Sequence, residues 1–253
     1  MKDFVHLHVH SEYSLLDGFA ATNAIAGRAV ELGMDSIAIT DHGVMYGAME
    51  FYTNAKKAGI KPIIGMEAYM APNSRSDAMT RGAKNYYHLL LLAKNEVGYQ
   101  NLARLTTRSH LDGMGKGVFA RPRIDRELLE QHHEGLVLTS SCIAGEVIQH
   151  LTDNQKSKAR EIAADYRDLL GPENYFLELQ LHDNTPELEE INDELVRIGA
   201  ELGIPLVVTN DTHFVRAEDV EAHKMIMALG FNMTLKELCA KNYQMDETYH
   251  IMS

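Results

Sequence analysis

Cysteine is scarce in this chain. Two residues, Cys142 and Cys239, stand among 253, too few for a disulfide framework, and a reducing cytoplasm suits such a chain best. Long apolar runs are missing too. The longest, around 88–93, falls far short of the roughly 20 residues a membrane-spanning helix needs, so no membrane partner is expected. The opening Met1-Lys2-Asp3-Phe4 turns polar at once and shows no signal peptide. Tryptophan is absent, and Tyr and Phe do not interleave with a basic run, so no base-stacking groove is legible. Positive charge is in short supply: 24 Lys and Arg against 36 Asp and Glu give a net charge of −12. That balance argues against a broad electrostatic grip on nucleic acid. It leaves room for a local site made positive by bound metal.

What the chain does have is apolar content for one sizeable core, 45% of its residues, and 13 histidines. Seven short apolar runs read as strands: 4–8, 36–40, 62–70, 88–94, 136–140, 175–180 and 205–210. Helical spacing follows most of them. In 21–32 the residues Ala24, Ile25, Ala29 and Leu32 share a face and Gly33 is a stop. In 187–202 Leu188, Ile191, Leu195, Ile198 and Leu202 do the same before Gly203. Strands alternating with helices predict a parallel sheet, and seven strands at this length favour a closed or nearly closed barrel. The stretches 71–87 and 109–123 read as long loops. After His213 one more helix is expected over about 217–229. A polar tail without a strand follows, expected to pack loosely and to show low hydrogen-exchange protection from Lys236 onward.

The histidines gather where apolar runs end. In Val5-His6-Leu7-His8-Val9-His10 the strand period of two puts three imidazoles on one face, and a pair at i and i+2 can reach one metal. Asp41-His42-Gly43 places an acid and an imidazole just past a buried strand. Glu67 sits inside Ile63-Ile64-Gly65-Met66-Glu67-Ala68, where an unpaired charge is costly. His88 opens a leucine strand, Cys142 follows the run 136–141, and Asp211 and His213 end the last strand two apart. Each residue alone has a structural explanation, but barrel strand ends converge on one mouth, where sites are built. Imidazoles, carboxylates and one thiol together suit zinc, manganese or iron better than a lone magnesium. They also outnumber what one tetrahedral ion can use.

Together these segments resemble the polymerase and histidinol phosphatase (PHP) family. The likeness is closest to the branch forming the N-terminal domain of the alpha subunit of bacterial replicative DNA polymerases. It is carried by residues 4–18, by Ile39-Thr40-Asp41-His42-Gly43, by 59–65, by Gly171-Pro172-Glu173-Asn174 and by Thr209-Asn210-Asp211-Thr212-His213. The resemblance implies an α/β fold, a distorted (β/α)7 barrel with a trinuclear cluster of divalent ions at the C-terminal strand ends. Zinc or manganese is favoured over iron. By position, its nine ligands fall on His8, His10, Asp17, His42, Glu67, His88, Cys142, Asp211 and His213. Asp17 and Cys142 stand where other branches carry histidine. Asp17, His42 and Asp211 are the expected catalytic members; His6, Asp41 and His182 are candidates for supporting or proton-shuttle duty.

The likeness runs from Phe4 to the end, so 1–253 is expected to form a single PHP domain. Residues 230–253 would then be a tail toward a polymerase palm that is not part of this sequence, as in an excised domain. The expected activity is metal-dependent phosphoester hydrolysis, most simply 3′–5′ exonuclease action on a DNA 3′ end in a bacterial cytoplasm. Palm and other replicase parts would be partners. Arg75, Arg81 and Lys84 offer loop charges for a phosphate backbone. Three divalent ions against Asp17, Glu67, Asp211 and a Cys142 thiolate would leave the pocket positive by about two charges. The alternatives are a metal module that braces a polymerase without turnover, and a small-molecule phosphatase of the histidinol phosphate type.

Overall fold

The buried apolar runs fold as strands because each can hide one or both faces. The structure is a computed structural model and describes residues 4–115, 120–241 and 246–253. Its strands are β1 (Ser36–Ile39), β2 (Lys61–Met70), β3 (Tyr87–Ala93), β4 (Arg123–Ile124), β5 (Leu136–Thr139), β6 (Tyr175–Leu179) and β7 (Leu206–Val208). Helices α1 (Thr22–Glu31), α2 (Ala48–Ala58), α3 (Glu96–Asp112), α4 (Arg126–His132), α5 (Glu146–Thr152), α6 (Lys156–Leu170), α7 (Glu187–Leu202), α8 (Val220–Gly230) and α9 (Leu235–Ala240) complete it. The sheet runs β1-β2-β3-β5-β6-β7, with β4 paired to the end of β2. No described helix is long and apolar enough to cross a membrane.

The first expected strand is not a regular strand, yet it closes the curl. The Ala38 and Thr40 amides donate to the His6 and Val9 carbonyls on one side. On the other, the Thr212 amide donates to the His8 carbonyl at 3.0 Å and the His10 amide to the Thr212 carbonyl at 2.7 Å. The segment lies between the first and last strands, and the α/β barrel is complete.

The sheet is not wholly parallel, which corrects one expectation. β3 runs antiparallel to both β2 and β5. No helix separates β2 from β3, and without a crossover the chain can only double back. The reversal decides where His88 lies. At the start of a parallel strand it would face the wrong end of the barrel; at the start of β3 it pairs with Tyr69, near the end of β2. The stretch 109–123 also departs from a plain loop, because α3 runs to Asp112 and β4 begins at Arg123.

Strand alternation sorts the side chains. Met66, Ala68, Met70, Leu89, Leu91, Leu138 and Leu177 face outward into a core shared with α3 to α7. Val9, Ile37, Ile39 and Phe51 join a second core under α1 and α2. The inner face is left to His8, His10, Glu67, Thr139 and Glu178, all buried.

The described residues of the tail pack against the barrel rather than loosely; 242–245 lie outside the described residues. Ile251 is fully buried in the second core beside Val9 and Val215. The His213 amide donates to the Tyr249 carbonyl at 2.9 Å, and Asn210 Nδ2 donates to the carbonyls of Thr248 and His250. Leu238 of α9 packs on Met227 and Ala228. Within 246–253 only Tyr249 and Ile251 are buried, too few to make a periodic signal, which is why the segment reads as polar.

Candidate metal centre

Polar side chains from several strands and strand ends converge at the mouth, and Glu67 of β2 stands at the centre. Its Oε1 lies 3.1 Å from His8 Nε2 and 3.5 Å from Cys142 Sγ, and accepts from the Ser141 hydroxyl. Its Oε2 lies 2.7 Å from His42 Nδ1, 3.0 Å from His88 Nδ1 and 3.6 Å from His10 Nε2. Asp211 Oδ1 sits 3.1 Å from His8 Nε2 and 3.2 Å from His10 Nε2. Asp17 Oδ2 contacts His42 Nε2 and lies 3.4 Å from His213 Nε2. The rings of His10 and His42 stack at 4.0 Å. All nine residues singled out from the sequence thus stand in one contiguous cluster. His8, His10 and Glu67 lie deepest, and Asp17, His42 and His88 are partly open at the mouth.

The cluster fits divalent ions by a test of its own atoms. His8 Nε2, His10 Nε2, His42 Nδ1, Glu67 Oε2 and Asp211 Oδ1 are buried, crowd one another, and have no hydrogen bond of acceptable geometry. An unsatisfied buried polar atom costs about 1–3 kcal/mol, and native structures rarely leave several together. A cation is the partner that imidazole lone pairs and carboxylates accept in common. Three groups have ligand atoms close enough for an ion: His10, His42 and His213; His8, His10 and Asp211; His42, Glu67 and His88. Asp17 and Cys142 adjoin these groups without completing one among the described residues.

Local electrostatics favours the ligand form of the three carboxylates and of His10, whereas His8, His42 and His213, though burial lowers them, are raised by the acidic groups around them. Burial alone would raise the carboxyls of Asp17, Glu67 and Asp211, but the surrounding histidines hold all three well below the usual range. Burial, then neighbouring His42 and His213, pushes His10 down to about 3, so its ring stays neutral with a lone pair to give. The Cys142 thiol is pushed well up by burial and by the Glu67 and Asp211 carboxylates, so it ionises only beside a cation.

Backbone strain marks the same loops. Leu16, Ser141 and Asp211 have φ of 63°, 63° and 46°, a left-handed conformation that non-glycine residues avoid unless the surroundings impose it. Gly43, beside His42, has φ of 63°, and a Cβ there would lie 2.9 Å from Pro122 Cγ and 3.0 Å from the Tyr69 ring.

A PHP domain family model matches residues 6–182. The chain belongs to the PHP domain family. It is 43% identical to the DNA polymerase III subunit alpha of Treponema pallidum over 247 residues, 97% of this chain and 21% of that protein. It is 45% identical to the same subunit of Borreliella burgdorferi over 231 residues, 90% of this chain and 19% of that one. It therefore spans about a fifth of the length of these relatives. A solved Bifidobacterium adolescentis protein, provisionally described as a metal-dependent phosphoesterase, shares the fold. Its TM-score is 0.51 at 16% identity, covering 83% of this chain and 87% of that one.

Around this PHP cluster the three supporting candidates part ways. Asp41 accepts from the Ser11 amide and hydroxyl and from the Ser14 hydroxyl, and Ser14 Oγ lies 3.1 Å from His10 Nδ1, so Asp41 steadies His10 through one serine. His6 does not reach the cluster. Its Nε2 lies 2.9 Å from the Met252 carbonyl, and Thr212 Oγ1 lies 3.4 Å from its Nδ1, because the segment bends at His8 and carries one extra residue against β1, the Ala38 and Thr40 amides donating to the His6 and Val9 carbonyls. His182 stacks on Tyr249 at 3.6 Å with Nδ1 3.0 Å from Thr248 Oγ1.

Sequence reasoning missed Glu178. Its Oε1 holds His8 Nδ1 at 2.8 Å and Gln180 Nε2 at 2.8 Å, and the hydroxyls of Thr139 and Thr209 also donate to it. The signal was present: like Glu67, it is a carboxylate inside an apolar strand, Tyr175-Phe176-Leu177-Glu178-Leu179. The mouth also holds aromatic groups that no single run reveals. Tyr13, Tyr46, Tyr69, Tyr86 and Phe231 line a 620 Å³ cavity with Asp17, His42 and Arg121, an aromatic grouping that was not legible in the sequence.

Proposed function

We propose that this chain is a metal-dependent phosphoesterase domain of a bacterial replicative polymerase alpha subunit, working in the cytoplasm, and that it removes nucleotides from a DNA 3′ end. The observation that carries the reading is the set of buried, unsatisfied ligand atoms of His8, His10, His42, Glu67 and Asp211 below an open cavity. The named relatives support the polymerase context.

Three divalent ions, zinc or manganese before iron, would be held by His8, His10, Asp17, His42, Glu67, His88, Cys142, Asp211 and His213. Bound divalent metal supplies Lewis acidity toward phosphoryl oxygens and lowers the pKa of water from 15.7 to about 7. The chain's own part is positioning. Glu67 presents one oxygen to each half of the cluster, and Glu178 and Ser14 orient His8 and His10. Asp17 and His42 line the cavity where a scissile phosphate would lie, and Asp211 holds the deep side beside His8.

The test compares wild type with Asp17→Asn in manganese or zinc, on single-stranded DNA and on a phosphate monoester. Nucleotide release from the 3′ end by wild type, nearly lost in the variant, is expected. Turnover of the monoester alone would favour a small-molecule phosphatase. An inactive but metal-loaded wild type would favour a structural brace.

A further inference from the structure

The 620 Å³ cavity at the metal centre meets a second one of 440 Å³, and both are lined by Tyr86, His88 and Arg121. The two differ in chemistry. The first reaches Asp17, His42 and His88 and carries Leu15, Leu16, Tyr46 and Phe231, side chains 74%, 56%, 60% and 50% exposed. So much apolar surface at a polar mouth marks a binding rim. The second touches the cluster only through His88, and its walls carry Arg81, Lys84 and Arg121 with no carboxylate among them. In a chain of net charge −12, three cations without an acid on one wall form a local positive stretch.

We infer that the two cavities form one divided track for a single nucleic-acid strand, with its direction set. The terminal base lies against the apolar rim of the first cavity, and the upstream phosphates lie on Arg81, Lys84 and Arg121 in the second. The inference rests on the phosphoesterase reading and adds a polarity and a specificity to it. A scissile phosphate belongs where most cluster residues are exposed, in the first cavity. Beyond it a terminal nucleotide brings a base, which an aromatic wall suits. The strand behind it brings one anion per nucleotide, which suits the second cavity, where Arg81 and Lys84 join the shared Arg121. A phosphate monoester gains nothing from that wall, so Arg81, Lys84 and Arg121 are specificity determinants for a polymer.

The absence of tryptophan makes 2-aminopurine fluorescence a clean probe of the full 253-residue chain. The ligand is a single-stranded oligonucleotide with 2-aminopurine at its 3′ terminus or four nucleotides upstream, and a phosphorothioate at the last linkage to slow hydrolysis. In manganese the terminal probe should be quenched and the upstream probe should not. Tyr46→Ala should weaken binding roughly tenfold and release the quench, since base stacking on an aromatic is sequence-tolerant but strong. Arg81→Ala with Lys84→Ala should flatten the slope of log affinity against log salt by about 1.4, two contacts at about 0.7 each for a single strand. Melting curves establish that both variants are folded. Quenching of the upstream probe instead, or an unchanged salt slope, overturns the track. So does full affinity in Tyr46→Ala, which would point to a protein partner on the apolar rim. Hydrolysis of bis(4-nitrophenyl) phosphate by wild type separates the two claims. Inactivity on this diester and on the oligonucleotide alike removes the phosphoesterase reading and the track with it, whereas activity on the diester with an unchanged oligonucleotide salt slope in the charge variants removes the track alone.

Discussion

Replacing Glu178 by Gln should separate support of the site from support of the fold. The carboxylate is buried in β6 and fixes His8 with Nδ1–H as donor, leaving Nε2 toward Glu67 and Asp211. Gln keeps the shape but turns one acceptor oxygen into an NH2 group. If its oxygen stays on His8, the amide faces the Thr139 hydroxyl, which must rotate to accept. Bonds to a charged acceptor contribute about 1.5–3 kcal/mol and neutral ones about 0.5–1.5, so the chelated protein should lose about 1 kcal/mol. At this chain length that is roughly 2–4 °C of melting temperature. The larger effect should fall on metal. Partners that orient a ligating imidazole typically change affinity about 10–100-fold, or about 1.4–2.7 kcal/mol of metal-dependent stabilisation at fixed excess metal. The gap between metal-loaded and chelated melting temperatures should therefore shrink by roughly 3–11 °C. Calorimetry with and without chelator, alongside metal titration, reads both. A lowered chelated melting point with an unchanged metal gap would refute the orienting role and leave Glu178 as a core hydrogen-bonding group.

Cys142→Ser should lower the bound metal-to-protein ratio, measured by elemental analysis, while circular dichroism stays that of wild type; full occupancy would count against ligation. Asp125→Ala removes the cap of α4 and the anchor of the loop carrying Arg75, for Asp125 accepts from the Leu128 amide and from the Arg75 amide and guanidinium. It should cost about 1–3 kcal/mol in urea unfolding. Burial pushes the Asp125 carboxyl up, but the Arg75 and Leu128 amides and the Arg75 guanidinium outweigh it and hold it below the usual range. Its stabilisation is therefore complete above the unfolded value of about 3.9 and lost as pH falls through the lower folded value. A stability gap to wild type that persists at full size in strong acid would contradict this. Ile251→Ala should cost about 2–5 kcal/mol and speed exchange at the His213 amide; unchanged stability would mean the tail is not docked in solution.

Strand positions and most cluster residues are legible in the sequence because short apolar runs and polar residues at their ends are local patterns. Direction is not local. The leucines of β3 read the same either way, and the only hint of its reversal is that 71–86 holds no helix to make a crossover. Glu178 carries the same signature as Glu67, but it acts on the far ring nitrogen of His8, 170 residues away in sequence, a pairing no local pattern shows. The aromatic rim comes from separate loops around Tyr13, Tyr46, Tyr86 and Phe231, which no window of sequence brings together. His6 shows the opposite failure: strict alternation places it with His8 and His10, but the extra residue between His6 and Val9 breaks the alternation and leaves His6 toward the tail.

The strained residues show how the site is held. Left-handed conformations at non-glycine positions cost about 1–3 kcal/mol each and persist only where neighbours over-determine them. Leu16 lies in a turn closed by the Asp17 and Gly18 amides on the Ser14 carbonyl. Ser141 is fixed through its hydroxyl on Glu67 and its amide on Thr139 Oγ1. Asp211 stands between Asn210, which holds the Thr248 and His250 carbonyls, and His213, whose amide is held by Tyr249. All three clamps are protein–protein contacts. The Asp211 clamp depends on residues 248–250, carried by a segment whose Ile251 is buried in the core beneath β1. The cluster is therefore preorganised by the barrel and the tail, and ions would bind a formed site rather than create one. Because the tail carries one of the three clamps, a load on that segment reaches Asp211 and His213 through two hydrogen-bonded residues, without passing through the rest of the barrel.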